Sequence, residues 1–421
     1  MLIKSAKIID PSSKHNGSRE DILIEKGNIV RIGKNIEPSK GSKVYEAQNL
    51  HVSPGWFDMH VNFRDPGYEY KEDLNSGTDA AAFGGFTGVA IMPGTLPPIH
   101  SKSEVEYIKN KAKGLLVDVF PIGTVTHGRE GKELSEMFDM YTAGAVAFSD
   151  DKRPLSNAGM LSRALLYTKV FGGLIISYCD DKGISADGKM DESSTSALLG
   201  MKGIPALAEE VQVARDIFIA EYHHASIHIA TISTARSVQL IREAKARGVK
   251  VSCEVAVHNL VLDDGELLDF DSNYKVKPPL RTNQHITALK KGLKDGTIDV
   301  ICSDHCPEDE ESKKVEFDNA AFGIIGLETC YALASTYLGK EFSPEEIIRK
   351  IAINPRKILN IKVPVIETGA KANLTFFNPA MKWKFESGHI KSKSKNTPFV
   401  GSEFTGKALG IFNNGMIAII G

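Results

Sequence analysis

Apolar and polar positions divide the chain into two kinds of territory. Over the first fifty residues the apolar runs are short. Residues 7–9, 21–25 and 28–32 predict strands, and Lys26-Gly27-Asn28 predicts the turn of a hairpin. The tail has the same texture: residues 372–377 and 408–412 are apolar, and Asn413-Asn414-Gly415 predicts a turn before residues 416–420. Two β-rich ends can pair, so residues 1–51 and 363–421 are expected to form one small β-sandwich domain.

The centre alternates differently. Apolar runs at residues 88–92, 116–122, 145–148, 174–177, 226–230, 250–254 and 299–302 predict buried strands. Helical patterns lie between them, for example at residues 101–113, 206–220, 233–246 and 286–295. Strands apolar on both faces, alternating with helices, predict a parallel sheet covered by helices. About eight such units fit between residues 52 and 362, the length of a (β/α)8 TIM barrel.

Composition narrows this picture only a little. The 421 residues are 42% hydrophobic and 25% charged, with a net charge of −2, an ordinary globular balance. That balance gives no electrostatic reason to bind nucleic acid or an anionic membrane. No apolar run is long enough to span a bilayer, and the first residues carry no secretory pattern, so a cytoplasmic protein is expected. The five cysteines, Cys179, Cys253, Cys302, Cys306 and Cys330, are scattered and are expected to be free thiols.

In a barrel the chemistry sits at the C-terminal strand ends. The first strand runs into Gly55-Trp56-Phe57-Asp58-Met59-His60-Val61-Asn62-Phe63-Arg64-Asp65-Pro66-Gly67, and strand period places Asp58, His60 and Asn62 on one face. Later ends carry Ser149-Asp150-Asp151, Tyr178-Cys179-Asp180-Asp181, His228-Ile229-Ala230-Thr231 and Ser303-Asp304-His305-Cys306-Pro307. With Lys275-Val276-Lys277-Pro278-Pro279-Leu280-Arg281, residues 322–328, Asn354-Pro355 and the closing residues 392–399, the chain resembles the dihydroorotases of the amidohydrolase superfamily. It is most similar to the form that associates with aspartate carbamoyltransferase. The resemblance covers nearly the whole chain.

The resemblance implies a zinc centre held by an H-x-H pair, two middle-strand histidines, a bridging carboxylate and a final Asp. Zinc lowers the pKa of bound water from about 15.7 to about 7, worth about 12 kcal/mol of nucleophile activation. Here His60 keeps the first position, Asp151 (rather than Asp150) matches the bridging carboxylate, and Asp304 keeps the last, where the family has its general base. Asn62, Tyr178 and Thr231 stand at the other three histidine positions. Their neighbours Cys179, His228 and His305 are offset by odd numbers of residues and are expected to face away.

On the substrate side Arg64 remains, either to bind a substrate carboxylate or to form an ion pair. Gly94, Lys277 and Glu308 replace the expected Asn, Asn and His. The expectation is an eroded centre in which the Tyr178, Asn62 and Thr231 donors satisfy Asp151 and Asp304. Zinc is not expected at full occupancy, although His60, Asp151 and Asp304 are a remnant set able to hold an ion weakly. The resemblance then implies an inactive or very weak homologue, homo-oligomeric, serving as a structural partner of aspartate carbamoyltransferase. The alternative is an active hydrolase, interconverting L-dihydroorotate and N-carbamoyl-L-aspartate, or one with an altered metal site or substrate. The segment from Glu308 to Lys314 is expected to be a flexible loop or an interaction surface.

Overall fold

Both chain ends feed one sheet. The computed structural model describes residues 1–39, 41 and 43–420. The first strands are β1 (Leu2–Ile8), β2 (Arg19–Glu25), β3 (Asn28–Gly33), β4 (Val44–Tyr45) and β5 (His51–Pro54). The barrel strands follow: β6 (Trp56–Val61), β7 (Phe86–Ile91), β8 (Asp118–Pro121) and β9 (Ile175–Tyr178). A short parallel pair, β10 (Met190–Asp191) with β11 (Gly203–Ile204), precedes β12 (Ile227–Ala230), β13 (Val251–Ala256) and β14 (Val300–Cys302). The chain ends on β15 (Leu374–Lys384), β16 (Glu403–Asn413) and β17 (Met416–Ile419).

The barrel strands are all parallel, β6 to β8 in one run and β9, β12, β13 and β14 in another. Between the runs Phe148 bridges to Gly123 on one side and Ile175 on the other, so the segment at residues 145–148 is the eighth stave. A bridge from Val61 to His305 closes the ring. Side-chain alternation sorts the core as a covered parallel sheet requires. On β13, Val251, Cys253 and Val255 belong to the layer under the helices. Phe57, Met59, Ala90, Ile122, Ile176, Tyr178, Ala230 and Val300 instead fill the barrel interior.

Helices begin where their caps dictate. Lys102–Lys111 starts at a capping box, Ser101 with Glu104, and Ala235–Ala246 starts at Thr234, whose hydroxyl accepts from Ser237 N. The terminal sheet runs β17-β16-β15-β5-β1-β2-β3, with β4 beside β1, around Ile3, Ile22, Ile24, Val52, Leu374 and Phe376. Among the described residues no helix is long and apolar enough to cross a membrane, and all five cysteines are free.

The floor of the barrel is plugged by a cation. Arg356, in the short helix Asn354–Ile358, donates from Nη1 to Gly55 O (2.5 Å) and Ala352 O (2.9 Å). Nη2 donates to Thr87 Oγ1 (3.1 Å), and the guanidinium lies 4.9 Å from the Phe57 ring centroid. Burial pushes its pKa down to about 9. We predict that Arg356→Met lowers the urea midpoint, because each buried acceptor left without a donor costs about 1–3 kcal/mol. An unchanged midpoint would contradict this role.

Candidate active site

The first strand does not keep its alternation. The β6–β7 register shifts between Asp58 and Val61, so Asp58 and His60 part company. Asp58 accepts from His60 N (3.0 Å) and Ser303 N (2.8 Å), stitching β6 to β14, and burial pushes its pKa up to about 6. The His60 ring points into the barrel instead. Its Nδ1 is hydrogen-bonded to Glu254 Oε1 at 2.5 Å, and Nε2 lies 3.5 Å from Asp304 Oδ1 and 3.8 Å from Asp151 Oδ1. The expectation of a shared face for Asp58, His60 and Asn62 is corrected by this register shift.

Asp151, Thr231 and Asp304 have φ of 56°, 39° and 49°, and Arg64 and Arg129 each have 60°. Left-handed backbone is uncommon outside glycine and costly for a β-branched Thr; it clusters at functional sites. It also ends the period-2 argument at each strand tip. His228, expected to face away, points into the barrel: Nδ1 lies 2.8 Å from Ser252 Oγ and Nε2 3.6 Å from Glu254 Oε2. It backs Glu254 and belongs to a layer beneath the strand-tip groups. Cys179 lies by Ser177 and Asp216, and His305 by Glu72, both away from the cluster.

The charge on Asp304 is met by a residue that sequence reasoning passed over. Lys152 Nζ lies 2.9 Å from Asp304 Oδ1, donates to Oδ2 at 3.1 Å and to Thr231 Oγ1 at 3.3 Å, and sits 5.1 Å from the Tyr178 ring centroid. Asp151 pairs with Arg129 Nη2 at 3.4 Å, while Asp150 is a structural cap on Val125 N and Thr126. Among the described residues neither the Tyr178 hydroxyl nor the Asn62 amide donates to Asp151 or Asp304. The expected set of three neutral donors is replaced by cations, with Thr231 acting as an acceptor.

The substrate-side residues are also engaged. Arg64 Nη2 donates to Glu308 Oε1 (2.7 Å) and to Cys306 Sγ (3.0 Å), and Lys71 Nζ contacts Glu308 Oε2 at 2.5 Å. Lys277 pairs with Asp180 at 2.7 Å. A Cβ on Gly94 would lie 2.8 Å from Asp151 Oδ2 and 3.1 Å from Asn62 Oδ1, so the family's Asn does not fit this arrangement. The segment after Glu308 is anchored rather than loose. Glu308 N donates to Asn396 Oδ1, and Lys313 donates to Ala321 O and Gly323 O. Arg64, Arg129, Lys152, Arg153 and Lys277 share the walls of a cavity of about 370 Å³ with Asp151 and Asp304.

Burial favours the neutral form of each acid here, and the partners overrule it. His60 and Arg129 hold Asp151 well below the usual carboxylate range despite its burial, and His60 with His228 does the same for Glu254. Burial would lower the His60 pKa, but Glu254 and Asp151 raise it to about 10 against the opposing charge of Lys152. Burial leaves His258, 3.9 Å from Asp304, at about 4 and therefore neutral. Imidazolium, ammonium and guanidinium thus balance three carboxylates, Asp151, Glu254 and Asp304.

These residues do not fit a dinuclear zinc centre. His60 Nε2, Asn62 Oδ1, Asp151 Oδ1, His258 Nε2 and Asp304 Oδ1 are buried without hydrogen-bond partners, too few donors for two tetrahedral ions. Lys152 stands beside Asp304, the second carboxylate that such a centre would need. His60, Glu254 and Cys302 also lie close together, but the 2.5 Å contact is a hydrogen bond and burial pushes the Cys302 thiol far up.

A closed parallel barrel with acidic and histidine side chains at its strand tips, flanked by a sheet from both ends, defines an amidohydrolase, and comparison with known proteins agrees. The Amidohydrolase family model matches residues 177–417, and the Dihydro-orotase-like model matches residues 50–237. A dihydroorotase of Acetivibrio thermocellus is 45% identical over 100% of this chain and 99% of its own. One of Pelotomaculum thermopropionicum is 46% identical over 95% and 94%. The chain belongs to the dihydroorotase family. Among solved structures, an L-hydantoinase (dihydropyrimidinase) from Arthrobacter aurescens shares the fold, with TM-score 0.87 at 23% identity over 100% of this chain and 96% of that one.

The raised His60 pKa sets a pH dependence. An imidazole whose folded pKa lies above its ordinary 6.5 contributes stability that is complete below 6.5 and is lost as pH rises towards 10. We predict that the wild-type denaturation midpoint falls between pH 7 and 10. Glu254→Gln should be less stable at pH 7 by about 3–5 kcal/mol, with a much shallower fall. Parallel curves for the two proteins would contradict the pairing.

Proposed function

We propose that this member of the dihydroorotase family, a protein of pyrimidine biosynthesis, turns over L-dihydroorotate and N-carbamoyl-L-aspartate very weakly or not at all, and acts as a structural partner of aspartate carbamoyltransferase. One observation carries the loss of turnover: the charged groups at the positions the family uses are already paired within the chain. Asp304 faces Lys152, His60 is bonded to Glu254, and Arg64 is bonded to Glu308. A carboxylate ion-paired to an ammonium at 2.9 Å is too weak a base for amide hydrolysis. The carbamoyltransferase partnership is supported by the resemblance of the whole chain to the associating form.

A second reading is an altered hydrolase, and the cavity favours it, since five basic side chains line it against two acidic ones, Asp151 and Asp304. An assay of the purified full chain separates the two. Losing half of a 12 kcal/mol activation predicts rates at least about 10⁴-fold below an ordinary kcat of about 10 s⁻¹. Turnover near 10 s⁻¹ would overturn the preferred reading. Sedimentation of the chain mixed with aspartate carbamoyltransferase is expected to show a joint species; independent boundaries would remove the partnership.

A further inference from the structure

The replacements at the strand tips form one set around one atom. Asp151, in left-handed backbone, aims the next residue back across the barrel mouth, so the Lys152 ammonium reaches Asp304 on the far side. Its neighbours are the Asp304 carboxylate at 2.9 and 3.1 Å, the Thr231 hydroxyl at 3.3 Å and the face of Tyr178 at 5.1 Å. Carboxylate, hydroxyl and aromatic face are each favourable to a primary ammonium. Thr231 and Tyr178 occupy positions where the family resemblance implies metal-binding histidines. The residues that remove metal ligands are therefore the ones that accommodate Lys152.

The charge requirement points the same way. Buried carboxylates with no cation carry a cost of several kcal/mol each. The remaining donors are His60 Nε2, 3.5 Å from Asp304 Oδ1 and 3.8 Å from Asp151 Oδ1, and a divalent ion bound there would draw the two carboxylates in about it. Lys152 is the group beside them that would compete with such an ion. We propose that the Lys152 ammonium is the built-in replacement for a divalent cation, and that removing it opens a divalent-metal site on His60, Asp151 and Asp304.

This rests on the function proposed above only in taking the wild-type site to be metal-free. Wild-type protein, Lys152→Ala and Lys152→Met are equilibrated with Zn²⁺ alone, desalted, and measured for bound zinc and for Tm with and without EDTA. Wild type should retain no stoichiometric zinc and show the same Tm in EDTA. Lys152→Ala should lose about 5–10 °C in EDTA, bind one zinc per chain, and recover stability with zinc. Lys152→Met, which fills the space without the charge, should lose stability and bind zinc more weakly than Lys152→Ala. Adding Asp304→Asn to Lys152→Ala should abolish the zinc.

One zinc per wild-type chain, with a Tm that EDTA lowers, would overturn the inference. So would a Lys152→Ala protein that takes up no zinc, whether destabilised or not. If neither variant folds without metal, expression in zinc decides: soluble one-zinc protein supports the inference and its absence overturns it. Substrate turnover by metal-free wild type would defeat the proposed function and leave this inference standing. Inactive wild type carrying zinc would do the reverse.

Discussion

Three carboxylates buried together at the mouth of a parallel barrel are the constraint from which the rest of the site follows. Asp151, Glu254 and Asp304 are 0–5% exposed and are linked through His60. Their mutual repulsion in a low dielectric is tolerable only with positive charge beside them. A divalent ion is one supplier. Here the chain supplies an imidazolium, an ammonium and a guanidinium, from His60, Lys152 and Arg129. The two solutions are nearly equivalent in charge, since expelling the Lys152 ammonium and one His60 proton removes as much charge as a divalent ion brings. They differ in chemistry: an ammonium neutralises a carboxylate, whereas a metal also activates water.

The same internal pairing extends outward. Glu308, where the family has a histidine, draws Arg64 and Lys71 together, and the closing segment braces that contact through Asn396, which donates to Cys306 O and accepts from Glu308 N. Ser392 and Lys393 N bond Glu72 from the other side. The segment around Glu308 is thus part of the frame of the cavity.

The barrel was legible because its strands are apolar on both faces and alternate with helical patterns. All seven predicted central runs fall on staves, although residues 145–148 are held by single bridges rather than a full ladder. The remnant residues His60, Asp151 and Asp304 were named from what the family resemblance implies for the motifs at the strand ends. What escaped depended on backbone that a side-chain pattern does not encode. The register shift on β6 separated Asp58 from His60, and the positive φ at Thr231 broke the parity by which His228 was expected to face away; Lys152, which follows the positive φ at Asp151, was not weighed. Glu254 left a usable signal: a lone acid inside a run predicted to be buried on both faces requires a partner. Lys152 left a weaker one, a base directly after the Asp-Asp pair at a strand tip.

The central claim is that the chain's own cation, and no metal, compensates the Asp304 carboxylate. A crystal structure from protein grown in about 1 mM zinc, with diffraction recorded at the zinc edge, tests it most directly. The account predicts no anomalous peak among His60, Asp151 and Asp304, and Lys152 Nζ within hydrogen-bond distance of Asp304. A full-occupancy peak on those three residues, with Lys152 turned away, would contradict it.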